Sequence, residues 1–230
     1  FSGVFQHRFD GANRVIRRLV SEGAFGDLLT AGVQMRCLRT DEYYHGDEWR
    51  GTWAREGGSV LINQAIHFID LLLWIMGGAR QVCGAHENIT HGGVIETEDC
   101  AVASLRFRGG ALGTLEATSS SHLGWEPTVS IHGSEGSIEL RNGETVKLIF
   151  DDPETEQEVR TALQAATEDR GVEASKDYYG TGHAAQVADF VQAIREGREP
   201  FVTAASARHA VDVVLGIYES HRSGNWVDCG

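Results

Sequence analysis

The chain has 230 residues, of which 41% are hydrophobic and 23% charged, as in globular proteins with a sizeable core. Its net charge of −13 provides no field that would attract phosphates, so we expect neither a nucleic-acid partner nor a membrane partner. The four cysteines lack zinc-module spacing, and charged residues occupy the segment where a signal peptide would lie, which together indicate reduced thiols in the cytoplasm.

Hydrophobic periodicity predicts four elements before residue 57. Phe1–Phe9 is predicted to be a strand, and Asp10 is predicted to cap a helix that ends at Gly23. Leu28–Leu38 is predicted to be a long strand, and Asp41–Glu56 an aromatic-rich loop.

After Gly78 the hydrophobic period changes from about 3.6 residues to two, which predicts a series of strands. Gly109-Gly110 and Asn142-Gly143 have the composition of two-residue hairpin turns. The strands are therefore predicted to form an antiparallel meander of Val82–Ile89, Cys100–Phe107, Ala111–Ser119, Thr128–His132, Ser137–Leu140 and Thr145–Phe150.

The remaining segment begins with a polar, acidic excursion over Asp151–Tyr179, in which Gln157–Ala166 is predicted to form a short helix. Two helices and a short strand are then expected to close the chain: His183–Glu196, a helix between Thr203 as N-cap and Gly224, and Trp226–Val227.

The predicted helix Val60–Met76 is apolar almost all round, which places it in the protein interior, and its polar residues are too frequent for a membrane span. Asn63, His67 and Asp70 have i, i+4 and i+7 spacing and so share one stripe of an α-helix, with Gln64 beside it. His67 fits two roles, a general acid or base and a hydrogen-bonded core histidine. Asp70 is expected to satisfy backbone or loop donors instead.

A metal-dependent hydrolase is a further hypothesis, since the chain contains several potential ligands. They are His67, Asp70, His86, His91 and Glu96, and their order matches no known ligand spacing, so we expect no metal site.

Several motifs occur in an order that resembles the C-terminal domain of the glucose-fructose oxidoreductase, inositol dehydrogenase and rhizopine catabolism (Gfo/Idh/MocA) family. They are VFQHRF at Val4–Phe9, GAFGDL at Gly23–Leu28, EWRGTW at Glu48–Trp53, the Gly57–Gly78 segment, IETEDCAVASLRF at Ile95–Phe107, GALGTLEATSS at Gly110–Ser120, HGSEGSIEL at His132–Leu140 and GHAAQVADFVQAIREGREP at Gly182–Pro200.

The resemblance implies an α+β fold, an open, predominantly antiparallel β-sheet with helices packed on one face. Residues 1–230 would form one domain for substrate binding and oligomerisation, preceded in the family by a nucleotide-binding Rossmann domain. Both faces of the predicted strand Cys100–Phe107 carry apolar residues, so we expect helices on one face and another subunit, in a dimer or tetramer, on the other.

The resemblance also implies catalysis by an Asp-x-x-x-His pair, together with a lysine of the first domain. His67 matches the histidine, whereas Asn63 stands at the aspartate position and cannot take a proton. The implied reaction transfers hydride from a sugar or polyol carbon to NAD or NADP while His67 accepts the hydroxyl proton.

Further site residues follow from the same resemblance. Trp49 and Arg50 would lie near the cofactor, and Arg50 can also pair with a substrate phosphate or carboxylate. Tyr44, Gln64 and His183 are the other candidate substrate contacts, although Tyr44 and His183 also fit ordinary loop or cap roles.

The cofactor fingerprint Gly-x-Gly-x-x-Gly and the family's Glu-Lys-Pro segment are both missing from the chain, which begins at Phe1 rather than methionine. We therefore expect an oxidoreductase whose N-terminal NAD(P)-binding domain is missing from this sequence. Two alternatives remain open, a non-catalytic binding or assembly module of the same fold and an NAD-assisted glycoside hydrolase.

Overall fold

The computed structural model describes residues 1–168 and 182–230. An open sheet of eight strands forms its centre, in the order β7-β6-β5-β1-β4-β3-β2-β8. The strands are β1 (Leu28–Leu38), β2 (Ala79–Glu87), β3 (Cys100–Phe107), β4 (Leu112–Thr118), β5 (Ser120–Gly133), β6 (Gly136–Arg141), β7 (Glu144–Phe150) and β8 (Val227–Asp228).

Strand β1 occupies the middle of the sheet, where it pairs in parallel with β4 and antiparallel with β5. The prediction of one continuous meander is therefore wrong, because β1 separates a β2-β3-β4 meander from a β5-β6-β7 meander. The alternating residues Ala31, Val33 and Met35 of β1 are at most 3% exposed, as expected for one face of a strand that has neighbours on both sides and is covered by helices. The sheet is otherwise antiparallel between the described strands, which confirms the predicted fold class.

Strand β5 is much longer than the predicted Thr128–His132, because it pairs along most of its length with β1 and at its end with β6. Residues 120–127 of this strand contain serine, histidine, glycine and proline and are mostly partly exposed, so they lack the alternating hydrophobic signal. The other predicted strands, apart from Phe1–Phe9, lie within three residues of their observed bounds.

Six α-helices accompany the sheet in the described residues: α1 (Gly11–Ser21), α2 (Asp41–His45), α3 (Ile66–Met76), α4 (Pro153–Glu168), α5 (His183–Glu196) and α6 (Ala204–Ser223). The predicted N-cap of the last helix is confirmed, because the Thr203 side chain accepts a hydrogen bond from the Ser206 backbone N–H. Left-handed glycines end α3 and α6 at Gly77 and Gly224, as predicted. The short helix α2 lies inside the predicted aromatic-rich loop.

Helices α3 and α6 contact the sheet at β1 and β2, and the core lies between them and the strands. On β3 the inward residues Ala101, Leu105 and Phe107 are buried, whereas Val102 on the other face is 57% exposed. One face of β3 is thus covered by helices within this chain, as predicted.

The predictions for the N-terminal segment and for the segment after β7 require correction. Phe1–Phe9 is not a strand: its first five residues have no regular structure and Gln6–Phe9 form a 3-10 helix. The segment packs against α6 instead, where Gly3 lies close to Ala207, and it has no strand partner in the described residues. The predicted helix Gln157–Ala166 is the longer α4, and the rest of the predicted excursion falls mainly on residues 169–181, outside the described residues.

No helix among residues 1–168 and 182–230 is long and apolar enough to cross a membrane.

Candidate active site

The buried helix predicted from Val60 to Met76 begins as a π-helical segment, Val60–Ala65, and continues as α3. Glu98 fixes where it begins, because its Oε1 accepts hydrogen bonds from the backbone N–H groups of Ser59 and Leu61, both at 3.0 Å. The Tyr218 hydroxyl donates to the same oxygen at 3.0 Å. Burial raises the pKa of Glu98, although these three donors favour its ionised form.

The glycine that precedes this helix is needed for close packing. Gly58 has φ of +152°, and a Cβ added there would lie 2.0 Å from the Tyr218 hydroxyl oxygen. The sequence Gly57-Gly58 therefore lets the chain turn directly against α6 before entering the helix.

The π-helical turn changes the polar stripe predicted for a regular α-helix. A π-helix closes its hydrogen bonds over five residues instead of four, and such turns are frequent at functional sites. The Asn63 side chain precedes α3 and donates from Nδ2 to Glu56 Oε1 at 2.6 Å. Glu56 in turn accepts from the Gly51 backbone N–H, so the preceding loop is attached to the helix beside Asn63.

His67 lies in the first turn of α3, half-buried against the rings of Phe5 and His7, with ring centroids 6.0 and 6.5 Å away. Its Nδ1 is buried and has no hydrogen-bond partner among the described residues. Burial, reinforced by the nearby His7 and His183, lowers the pKa of His67 to about 4. The imidazole is therefore neutral at pH 7 and able to accept a proton.

His183 is the first residue of α5 and is exposed, yet it lies close enough to His67 to affect its pKa. His7 is 8% exposed, and its Nδ1 is 2.8 Å from Asp10 Oδ2. Sequence reasoning missed His7; the signal was the His-x-x-Asp spacing in QHRFD, which brings the two side chains together across one tight turn. Asp10 is the N-cap residue of α1, but its side chain makes no capping hydrogen bond.

Asp70 belongs to a different cluster from Asn63 and His67. Its carboxylate forms a two-point ion pair with Arg8, in which Nη2 is 2.5 Å from Oδ1 and Nε is 2.8 Å from Oδ2. Both side chains are at most 5% exposed. The partner of Asp70 is thus a buried side chain rather than the predicted backbone or loop donors, and the pair joins the N-terminal segment to α3.

Gln64 and Arg50 meet at Tyr43, a residue that sequence reasoning passed over. Gln64 Nε2 donates to the Tyr43 hydroxyl at 3.2 Å, and Arg50 Nη1 donates to the Tyr43 carbonyl at 3.0 Å. The Arg50 guanidinium lies 4.1 Å from the centre of the Tyr43 ring and is paired with Asp47 at 2.9 Å. Trp49 also lies beside Arg50 and is 40% exposed, so an aromatic and cationic surface is present at this loop.

Tyr44 is 4% exposed, and its hydroxyl contacts the hydroxyls of Ser59 and Ser119 at 3.2 and 2.9 Å. Burial raises the pKa of Tyr44. Because the ring is in the core and its hydroxyl is already engaged, we leave Tyr44 out of the proposed substrate contacts. The two adjacent tyrosines look equivalent in the sequence, and only their positions in α2 distinguish them.

Potential metal ligands are dispersed over the described residues, where no three His, Cys, Asp or Glu side chains form a group that could hold a metal. His91 is paired with Asp99 at 2.9 Å, and the ring of His86 packs against that of His221 with centroids 4.2 Å apart.

A separate cavity of about 640 Å³ lies at the C-terminal end of α3, away from Asn63. Four arginines line it, and each contacts a carboxylate or a backbone carbonyl: Arg8 with Asp70, Arg17 with Ile75, Arg108 with Gly230 and Arg208 with Asp212. Since these cations already have partners, we do not assign the cavity to catalysis.

Comparison with known proteins gives one family and several relatives. The model of the oxidoreductase family's C-terminal alpha/beta domain matches residues 17–229. Levoglucosan dehydrogenase of Pseudarthrobacter phenanthrenivorans is 24% identical over 98% of this chain and 65% of its own length. Myo-inositol 2-dehydrogenase of Thermotoga maritima is 22% identical over 92% of this chain and 58% of its own length.

Among solved structures, the WlbA dehydrogenase from Bordetella pertussis in complex with NADH and UDP-GlcNAcA superposes with a TM-score of 0.84 at 26% identity. The match covers 99% of this chain and 64% of the WlbA chain. This chain therefore spans less than two thirds of the length of these three relatives.

Proposed function

Because the chain belongs to the Gfo/Idh/MocA oxidoreductase family, as its C-terminal alpha/beta domain, we propose that it forms the substrate side of an NAD(P)-dependent dehydrogenase. The proposed substrate is a sugar, sugar derivative or polyol that is oxidised at a hydroxyl-bearing carbon. One observation carries the proposal: His67 is neutral at pH 7, half-buried, and has an unpartnered Nδ1 among the described residues, close to His183.

In this proposal His67 accepts the proton of the substrate hydroxyl as the C–O bond becomes a carbonyl. A bound nicotinamide supplies the hydride acceptor, so one hydride and one proton leave the alcohol together. Asn63 cannot exchange a proton, and its role is to orient the substrate by a hydrogen bond so that the reacting hydroxyl faces His67. Gln64, Arg50 and His183 border the same region and are proposed to contact the rest of the substrate.

The surface formed by Trp49 and Arg50 fits one wall of a nicotinamide site. Trp49 offers an exposed aromatic face, and Arg50 carries a buried Nε without a partner among the described residues. The chain has no Gly-x-Gly-x-x-Gly fingerprint, so these residues do not form a dinucleotide site by themselves. We propose that a preceding Rossmann domain supplies the remaining walls, in line with the greater length of the relatives.

The second face of the sheet is proposed to bind another copy of this chain, as dimer or tetramer. Val102 and Leu112 are 57% and 56% exposed on the strands of this face. On the same face, Arg36 and Glu116 form an ion pair at 2.7 Å, so the proposed interface contains polar as well as apolar side chains. Val102→Asp should place a charge in the interface and shift the light-scattering mass towards monomer, whereas a wild-type protein that is monomeric at micromolar concentration contradicts the proposal.

Turnover by the protein that contains this chain and its preceding domain tests the proposed reaction. Levoglucosan, myo-inositol and scyllo-inositol, the compounds after which the relatives are named, form the first substrate panel. We expect reduced nicotinamide to form with at least one sugar or polyol. Absence of turnover across sugars, sugar derivatives and polyols with both NAD and NADP would favour the non-catalytic module.

Binding measurements on the 230-residue chain test the proposed division between the domains. Isothermal titration with NADH and NADPH should give no tight binding to this chain, and tight binding should appear when the preceding domain is present. Equally tight binding to the chain alone would show that the cofactor site is complete within it.

A further inference from the structure

One carboxylate connects the two parts of the candidate site. Glu56 Oε1 accepts from Asn63 Nδ2 at 2.6 Å, and Glu56 Oε2 accepts from the Gly51 backbone N–H at 2.5 Å. Gly51 follows directly on the Trp49-Arg50 surface, whereas Asn63 lies one helical turn before His67. Glu56 therefore holds the loop that borders the proposed cofactor region against the helix that carries the proposed catalytic residues.

We propose that Glu56 is a positioning residue that fixes the Asn63 amide so that Oδ1 is the atom presented to a substrate hydroxyl. The proposal rests on the proposed dehydrogenase function. An ionised carboxylate accepts hydrogen bonds and donates none, so the NH₂ end of the Asn63 amide must face Glu56. The amide oxygen then points to the other side, where it can accept from a neighbouring hydroxyl of the sugar or polyol, distinct from the one whose proton passes to His67.

The pair also determines where the negative charge lies. An aspartate at position 63, as the family resemblance implies, would bring a second carboxylate to within hydrogen-bond distance of Glu56. Two carboxylates that share a site do not both ionise readily, and one of them binds a proton with a raised pKa. With Asn63 in the helix, the carboxylate of this pair lies in the loop on Glu56, and His67 is the proton acceptor that the helix itself supplies.

Gly51 fixes the other end of Glu56. Its φ is +66°, and a Cβ added there would lie 2.3 Å from Cγ2 of Ile95, so the backbone position requires glycine. The Gly51 N–H consequently comes from a constrained turn rather than from a mobile loop. Glu56 is thus held at both oxygens, and it can orient Asn63 instead of following it.

A charge-swap experiment in the holoenzyme tests this role. Glu56→Gln keeps one acceptor oxygen for two donors, the Asn63 NH₂ and the Gly51 N–H, so either the asparagine flips or one of the two hydrogen bonds is lost. In Asn63→Asp, two carboxylates meet. In the double variant the new amide at position 56 donates to the new carboxylate at position 63, so the hydrogen bond is restored with the charge moved into the helix. Glu48→Gln is the matched control, because Glu48 lies in the same loop with a side chain 91% exposed and pairs only weakly with Arg55.

Each single variant is expected to lower kcat/KM for the sugar or polyol by about 10- to 100-fold, the range for losing a charge-assisted hydrogen bond. The double variant should recover to within about tenfold of wild type, and the NADH dissociation constant should change less than about twofold in all variants. Asn63→Asp alone should add an ionisation to the kcat/KM–pH profile, and the double variant should remove it. The proposal would be overturned if the losses in kcat/KM of the two single variants multiplied in the double variant. It would also be overturned if Glu48→Gln lowered kcat/KM as much as Glu56→Gln.

A second readout is independent of turnover. The side-chain NH₂ resonances of Asn63 in the ¹⁵N–¹H spectrum of the holoenzyme should move in Glu56→Gln and stay unchanged in Glu48→Gln. If no sugar or polyol is oxidised but these resonances move, the dehydrogenase function fails while the Glu56–Asn63 contact stands. If the resonances do not respond to Glu56→Gln, the positioning role itself is refuted.

Discussion

Replacing Glu98 with alanine should destabilise the domain, because this buried carboxylate organises the start of the helix that carries Asn63 and His67. The variant removes the acceptor shared by three donors: the backbone N–H groups of Ser59 and Leu61 and the Tyr218 hydroxyl, each at 3.0 Å.

The magnitude follows from those three donors. A buried donor without a partner costs about 1–3 kcal/mol, which would sum to roughly 3–9 kcal/mol. The carboxylate itself is unfavourably buried, as its raised pKa indicates, and water can enter the space left by the side chain. We therefore expect a loss near the lower end, about 3–5 kcal/mol in the free energy of unfolding.

Urea unfolding followed by far-ultraviolet circular dichroism measures this loss from the shift in midpoint at constant slope. Tyr218→Phe removes only one of the three hydrogen bonds and should cost about 1 kcal/mol. Glu98→Gln retains an acceptor oxygen, so its loss in the free energy of unfolding should lie between those of Tyr218→Phe and Glu98→Ala. A Glu98→Ala loss below about 1 kcal/mol, or one equal to that of Tyr218→Phe, would refute the reasoning.

Three further outcomes follow from the same contacts. The pKa of His67 is lowered from 6.5 to about 4, so the unfolded chain binds this proton more readily than the folded chain does. The free energy of unfolding should therefore fall by about 2 kcal/mol between pH 7.5 and pH 5, and this part of the pH dependence should vanish in His67→Asn. Gly51→Ala should lower the melting temperature through a cost of about 1–3 kcal/mol, because it combines a left-handed backbone with a clash against Ile95. Arg8→Met should cost about 3–5 kcal/mol by leaving Asp70 buried and unpaired, and Arg8→Met with Asp70→Leu should recover most of it in the same urea experiment; equal losses in the single and double variants would contradict this explanation.

The sequence predicted those parts of the fold that depend on local patterns. β1 and β3 match their predicted bounds because hydrophobic alternation and flanking turn residues are both present. The parallel pairing of β1 with β4 could not be predicted from these patterns, because strand order depends on contacts between segments about 80 residues apart. The N-terminal strand prediction failed for a related reason: apolar residues among polar ones over Phe1–Phe9 give no information about whether a partner strand is available.

The candidate site shows the same division. The residues Asn63 and His67 stood out because polar groups are costly on a buried helix. Their local geometry could not be predicted, because a π-helical turn has no distinctive amino-acid composition. The partners Glu56 and Arg8 were also missed, because a charged residue in a loop or near a chain end has many possible positions, and only the folded backbone brings it to Asn63 or to Asp70.

The pH dependence of kcat/KM for sugar or polyol oxidation, measured in the holoenzyme and in His67→Ala, tests the role of His67 most directly. His132→Ala, at an exposed histidine on β5, is the control. Wild type should lose activity as the pH falls towards the lowered pKa of His67, because protonation removes the base, and His67→Ala should be about 10²- to 10⁴-fold slower without that ionisation. Wild-type kcat/KM in His67→Ala, or an unchanged acid limb in its profile, would contradict His67 as the proton acceptor.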